Sequence, residues 1–91
     1  MKIAVVGSGI SGLATALILS SRYEVHLFES DSRLGGHAHT VNIKQENESI
    51  PMDTGFLVYN TITYPHFTRF LDYLGVKTVA SDMTLAIQSG N

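Results

Sequence analysis

The sequence predicts an α/β fold built on a parallel strand–helix–strand unit, followed by a β-hairpin, a second helix and one or two further strands. Three observations carry this prediction. A short β-branched run, Lys2 to Val6, ends in the glycine-rich stretch Gly7-Ser8-Gly9-Ile10-Ser11-Gly12. A helical apolar pattern follows it directly. A second strand-like run, Tyr23 to Glu29, then closes the unit in under thirty residues, the length of one βαβ crossover.

Each element has its own signal. Lys2–Val6 is a continuous apolar run bounded by glycine, as a buried parallel strand requires. From Ile10 to about Ser21, Leu13, Ala14, Leu17 and Ile18 fall on one helical face, and Ala14 and Ala16 permit close packing. Ser30 to Gly36 is a polar loop that ends in glycine. Thr40–Lys44 alternates Val41 and Ile43 with polar neighbours, Gln45–Glu48 makes a turn, and Ser49–Met52 returns as the hairpin partner. Asp53-Thr54-Gly55 punctuates the chain. Tyr64–Leu74 reads as an amphipathic helix with Phe67, Phe70, Leu71 and Leu74 on one face, Pro65 in its first turn and Gly75 just past its end. Lys77–Ala80 and Met83–Gln88 suggest two more strands, the second by its period-two alternation.

Composition narrows the function classes. The chain has 91 residues, 44% of them hydrophobic, and a formal net charge of −2 with the two signs well mixed. No basic stripe or acidic tail marks a nucleic acid or other polyanion as partner. There is no cysteine, which removes disulfides, Cys-zinc sites and thiol catalysis. No apolar stretch is long enough to span a bilayer. Glycines interrupt the apolar N-terminal stretch, so it reads as part of the fold and not as an export signal, and a cytoplasmic location is expected. A chain this short buries only about 60–65% of its unfolded surface, which points to an incomplete domain.

The chemistry concentrates in Gly7-x-Gly9-x-x-Gly12, which lies between a strand and a helix as a dinucleotide-binding turn must. Gly7 permits the tight turn, Gly9 lets a pyrophosphate approach the backbone, and Gly12 lets helix and strand pack closely. Unpaired N–H groups near Ile10 and Ser11 then face the phosphates, helped by the helix dipole. Glu29 stands twenty-two residues after Gly7, near the spacing of the acid that binds the adenosine ribose. Its charge disfavours a 2′-phosphate. Ser30 belongs to the same expected site.

The stretch Glu29-x-x-x-Arg33-x-Gly35-Gly36 resembles the second FAD motif of the flavin-containing amine oxidase and phytoene desaturase group of oxidoreductases. The continuation Gly35-Gly36-His37-Ala38-His39-Thr40 is similar to that of amine-oxidase-like NAD/FAD-binding proteins with Gly-Gly-His-x-x-Thr. Many members of the broader group carry Arg where His37 stands. The resemblance covers essentially the whole chain and implies the N-terminal portion of a Rossmann-like FAD-binding domain. Residues 1–36 would form its dinucleotide-binding unit and residues 37–91 the start of the hairpin, helix and strand extension. It implies that Arg33 brings positive charge near adenosine and pyrophosphate, and that Gly35 and Gly36 let the backbone pass close to the dinucleotide. The cofactor implied is FAD, with a small-molecule substrate for the parent oxidoreductase and no catalytic residue in this portion.

Other readings compete at specific residues. His37 and His39 could share a strand face as metal ligands with Asp53, but a neutral His37 hydrogen-bonding near the cofactor fits better. His26, His39 and His66 read as structural. Gly55 either admits the chain close to a flavin ring or forms an ordinary turn. An NAD-linked dehydrogenase would use the same βαβ unit with no role for Arg33-x-Gly35-Gly36. A non-catalytic nucleotide-binding module would show no redox turnover.

Overall fold

The computed structural model describes residues 1–55 and 57–90. The elements run β1 (Lys2–Val6), α1 (Ile10–Leu19), β2 (Glu24–Phe28), β3 (Thr40–Gln45), β4 (Glu48–Asp53) and α2 (Pro65–Leu74). They divide between two compact units, Met1–Leu57 and Val58–Asn91.

In the first unit β1 and β2 pair in parallel, with Ile3 opposite Val25 and Val5 opposite Leu27. These four residues line one face of the two-stranded sheet, and α1 packs there. Val5 is the one buried hydrophobic residue among those described. The opposite face carries Ala4, Val6, His26 and Phe28, with Val6 84% and Phe28 56% exposed. The strand–helix–strand unit is therefore present as expected, with two adjustments at its edges. β2 begins at Glu24 and not Tyr23, so Glu29 lies just beyond its end. α1 stops at Leu19, where the Ser20 and Ser21 hydroxyls donate to the carbonyls of Leu17 and Ile18 and draw the last turn to a close.

The covered face of α1 matches the expectation at Leu13 and Ala14 and differs from it at Leu17 and Ile18. Gly12, Leu13, Ala14, Ala16 and Leu19 are partly covered, whereas Leu17 and Ile18 are exposed. Close approach decides this. A Cβ on Gly12 would overlap the Gly7 carbonyl oxygen and lie 3.7 Å from Val5 Cγ1. Gly12 must face the strand, and Leu17 and Ile18 rotate away from it.

β3 and β4 form an antiparallel hairpin in which Val41 faces Met52 and Ile43 faces Ile50. The turn is the two-residue Glu46-Asn47, tighter than the four residues expected, with Glu46 at φ 54. Strict pairing up to Gln45 and Glu48 leaves only those two residues to reverse the chain.

In the second unit Asn60 Oδ1 accepts from the amides of Ile62 and Thr63 and from the Thr63 hydroxyl, folding the turn before α2. Pro65 opens α2, and Gly75 closes it with a left-handed cap whose amide bonds back into the last turn. Phe67, Phe70 and Leu71 are half-buried, and the Tyr59 ring meets Phe67 edge-on at 5.1 Å. Leu74 remains 47% exposed.

The strands expected at Lys77–Ala80 and Met83–Gln88 are absent: residues 76–90 carry neither strand nor helix. Alternation supplies one apolar side, but a strand also needs a neighbour for its backbone N–H and C=O groups. Among the described residues no strand pairs with this stretch, and Val79, Met83, Leu85 and Ile87 are at least 80% exposed.

Candidate functional site

The site assembles at the C-terminal ends of β1 and β2. In a parallel pair with Val6 opposite Phe28, the two chains leave the sheet side by side, so the glycine turn after β1 meets Glu29 after β2. The Gly7 amide donates to the Phe28 carbonyl at 2.8 Å and holds the two exits together.

Ser8 is the hub of this junction. It is fully buried. Its amide donates to Glu29 Oε1 at 2.9 Å and its hydroxyl donates to the same oxygen at 2.5 Å. Its carbonyl accepts from the Gly35 amide at 2.8 Å. One residue thus ties together the glycine turn, the end of β2 and the Arg33–Gly36 loop. The Asp31 amide donates to Glu29 Oε2 at 3.0 Å. These donors hold the Glu29 carboxyl at about 2, well below its ordinary 4.5, the Ser8 hydroxyl contributing most and the Asp31 and Ser8 amides next. Glu29 is a stable anion throughout the physiological range.

Beside it lies the start of α1. Gly9 is the residue before the helix, and no side chain caps that end. Leu13 donates to the Gly9 carbonyl, but no acceptor within the described residues takes the amides of Ile10, Ser11 or Gly12. No acidic residue stands in the first turn, and a Cβ on Gly9 would meet open space. Unpaired donors, helix dipole and clear approach together make this end receptive to an anion.

The Arg33–Gly36 loop is drawn against the glycine turn. Gly36 sits at φ 60, where a side chain is strained, and a Cβ there would lie 2.9 Å from Gly9 Cα. Arg33 donates through Nη2 to the Gly36 carbonyl at 2.6 Å, and through Nη1 to those of Ala38 at 3.4 Å and Leu34 at 3.3 Å. Its guanidinium thus holds its own loop in shape. Ser30 is exposed at the mouth of this loop.

His37 is exposed, and the chain beyond it is clamped from the hairpin side. The Thr54 amide and hydroxyl both donate to the His39 carbonyl, at 2.8 and 3.0 Å. A Cβ on Gly55 would overlap the His37 carbonyl oxygen, so Gly55 serves contact between these segments. Asp53 accepts from the Thr40 hydroxyl at 2.6 Å. Among the described residues no three His, Cys, Asp or Glu side chains gather as a metal site. His26 bonds Glu24 at 3.0 Å on the uncovered sheet face, away from this junction.

The structure therefore brings together Gly7, Gly9, Ile10, Ser11, Gly12, Glu29, Gly35 and Gly36. Sequence reasoning passed over Ser8, treating it as a spacer between glycines. The pairing register held the signal: with Val6 opposite Phe28, the residue two beyond Val6 stands next to Glu29.

The NAD(P)-binding Rossmann-like domain family matches residues 5–74 of this chain. Protoporphyrinogen oxidase 2 (chloroplastic/mitochondrial) of Arabidopsis thaliana is 42% identical over 79 residues, covering 84% of this chain and 14% of that protein. Tryptophan 2-monooxygenase of Allorhizobium ampelinum is 36% identical over 80 residues, covering 86% of this chain and 11% of its own. The 4,4'-diapophytoene desaturase (4,4'-diaponeurosporene-forming) of Staphylococcus aureus is 29% identical over 82 residues, 85% of this chain and 16% of its own. The chain thus spans no more than about a sixth of these relatives. An oxidase, a monooxygenase and a desaturase bear out the resemblance to amine-oxidase-like and desaturase-type oxidoreductases. The matched stretch runs from the end of β1 to the end of α2.

Proposed function

Since this chain belongs to the NAD(P)-binding Rossmann-like domain family, we propose that it binds the ADP half of FAD as the N-terminal part of a flavin-dependent, amine-oxidase-like oxidoreductase. The observation that carries the reading is the juxtaposition at Ser8 of two complementary groups. On one side are the unpaired amides of Ile10, Ser11 and Gly12, on the other the ionised carboxylate of Glu29. The first suits a pyrophosphate and the second a ribose hydroxyl.

The donor set fits that group: open space before Gly9, no acid in the first helical turn, and an acceptor-only Glu29. Ile10, Ser11 and Gly12 would donate to the phosphates, Glu29 would accept from the ribose, and Gly35 and Gly36 would bring their loop alongside. Arg33 would act by shaping that loop, with its remaining N–H donors open to the cofactor. Ser30 and His37, both exposed on the same loop, would complete its border. When bound, FAD would supply redox chemistry toward a small-molecule substrate of the larger enzyme. The loop sequence Glu29-x-x-x-Arg33-x-Gly35-Gly36 and the redox enzymes among the relatives support FAD over NAD. A cytoplasmic location is part of the proposal and rests on the use of Lys2–Leu19 as β1, glycine turn and α1. No helix among the described residues is long and apolar enough to cross a membrane.

Calorimetric titration with ADP and with FAD tests the reading. Glu29→Arg is expected to weaken both by about tenfold or more, the scale of hydrogen bonds to a charged group. Unchanged affinity removes the ribose assignment. A visible flavin spectrum in the longest native form of the protein is expected as purified. Its absence after reconstitution with FAD, with NAD binding that survives Arg33→Ala, would point to an NAD-linked domain.

A further inference from the structure

Glu29 has four lone-pair positions, two on each oxygen. Oε1 already accepts twice, from the Ser8 amide at 2.9 Å and the Ser8 hydroxyl at 2.5 Å. Oε2 accepts once, from the Asp31 amide at 3.0 Å. The Ser30 amide adds only the weakest of these contacts, so one strong acceptor position is left, on Oε2. Ser8 is 0% exposed, so water does not compete for its bonds, and its own carbonyl is held by Gly35.

The surrounding charges do not take over this role. The glycine turn and α1 carry no titratable side chain. The loop after Glu29 carries Asp31, whose carboxylate accepts from the Ser32 amide, as well as Arg33, committed to carbonyls, and His37. On β2, Glu24 and His26 pair with each other, and on β1 Lys2 stands at the far end of the strand opposite Glu24. Among the described residues no cation pairs with Glu29.

We propose that Ser8 is a positioning residue that saturates one oxygen of Glu29 and leaves the other to accept a single ribose hydroxyl. The inference rests on the reading of this junction as an ADP site. It makes Ser8 the determinant of how many hydroxyls the acid reads. With the Ser8 hydroxyl in place one counts; without it Oε1 regains a free position and a second hydroxyl comes within the acid's capacity. The Ser8 hydroxyl is also the largest contributor to the low pKa of Glu29, in keeping with this geometry.

The test is binding of ADP, 2′-deoxy-ADP and 3′-deoxy-ADP to the chain and to Ser8→Ala, with ADP binding also followed from pH 7 to pH 4. In the wild type one deoxy analogue should bind about tenfold more weakly than ADP while the other matches it. In Ser8→Ala both should fall below ADP, and binding should weaken on acidification at a higher pH than in the wild type. Ser8→Cys keeps the buried volume with a weak donor and should behave as Ser8→Ala, which covers a loss of fold in the alanine variant. Equal losses for both analogues in the wild type overturn the inference. So does a Ser8 variant that changes the melting temperature but neither the analogue pattern nor the acid limb. Failure of the wild-type chain to bind ADP overturns the functional reading and this inference together, whereas ADP binding with an unaltered pattern removes only the role of Ser8.

Discussion

Glu29 is a charged group whose behaviour follows from its neighbours and not from its type. Its carboxyl is depressed to about 2 from 4.5 by donors from Ser8 and Asp31. A group depressed in the folded state adds stability above its unfolded pKa and loses it as pH falls through the folded one. The difference in melting temperature between wild type and Glu29→Gln should therefore be constant above about pH 5 and shrink as pH falls from 4.5 towards 2. A difference that does not change over that window would show that these donors do not favour the ionised form. Gly12 makes a second residue-scale point. With the Gly7 carbonyl against its Cα, Gly12→Ala must push α1 off β1. A loss of about 1–3 kcal/mol in urea unfolding is expected, the range for overpacking.

The elements differ in how far local signals determine them. α2 carries its own start and stop, Pro65 and Gly75, and forms over nearly the residues its periodicity indicates. The β3–β4 hairpin was legible from alternation, since Val41, Ile43, Ile50 and Met52 fall on one face. Its turn was not, because ladder bonds formed at Gln45 and Glu48 count only once the two strands meet. Glu46 takes the cost of that tightness at φ 54. Glu46→Gly is expected to raise the hairpin's stability by about 0.5–1 kcal/mol, seen as slower amide exchange across β3 and β4. Faster exchange would mean that the Glu46 side chain stabilises the turn in another way. The face of α1 was misread in part for a related reason: Leu13 and Ala14 are covered as periodicity indicates, but contact at Gly12 turns Leu17 and Ile18 outward.

At the scale of the molecule, the two units have little interior of their own. Ser8 and Val5 are the buried residues among those described, and the sheet face bearing Val6 and Phe28 is uncovered. Protection from hydrogen exchange should be concentrated in β1, α1 and β2, where the ladder and helix bonds lie, and nearly absent over residues 77–90, whose backbone amides make no hydrogen bond among the described residues. Exchange by mass spectrometry measures this directly. Strong protection of residues 77–90 would show that they pair in solution, as their alternation first suggested.

By itself the sequence determined the order of elements through α2, the glycine turn, the acid at Glu29 and the Arg33–Gly36 loop. Each of these is written in spacing along one segment: β-branching before glycine, a helical repeat after it, a fixed interval to the acid. Tertiary structure alone decided which residue governs that acid, which face of α1 meets the strand, what Arg33 holds, and that among the described residues no strand pairs with residues 76–90. Those outcomes depend on groups distant in sequence meeting in space. Ser8 shows the reason: its spacing from Glu29 carries no local pattern, and only the parallel register of β1 and β2 sets its hydroxyl on that carboxylate.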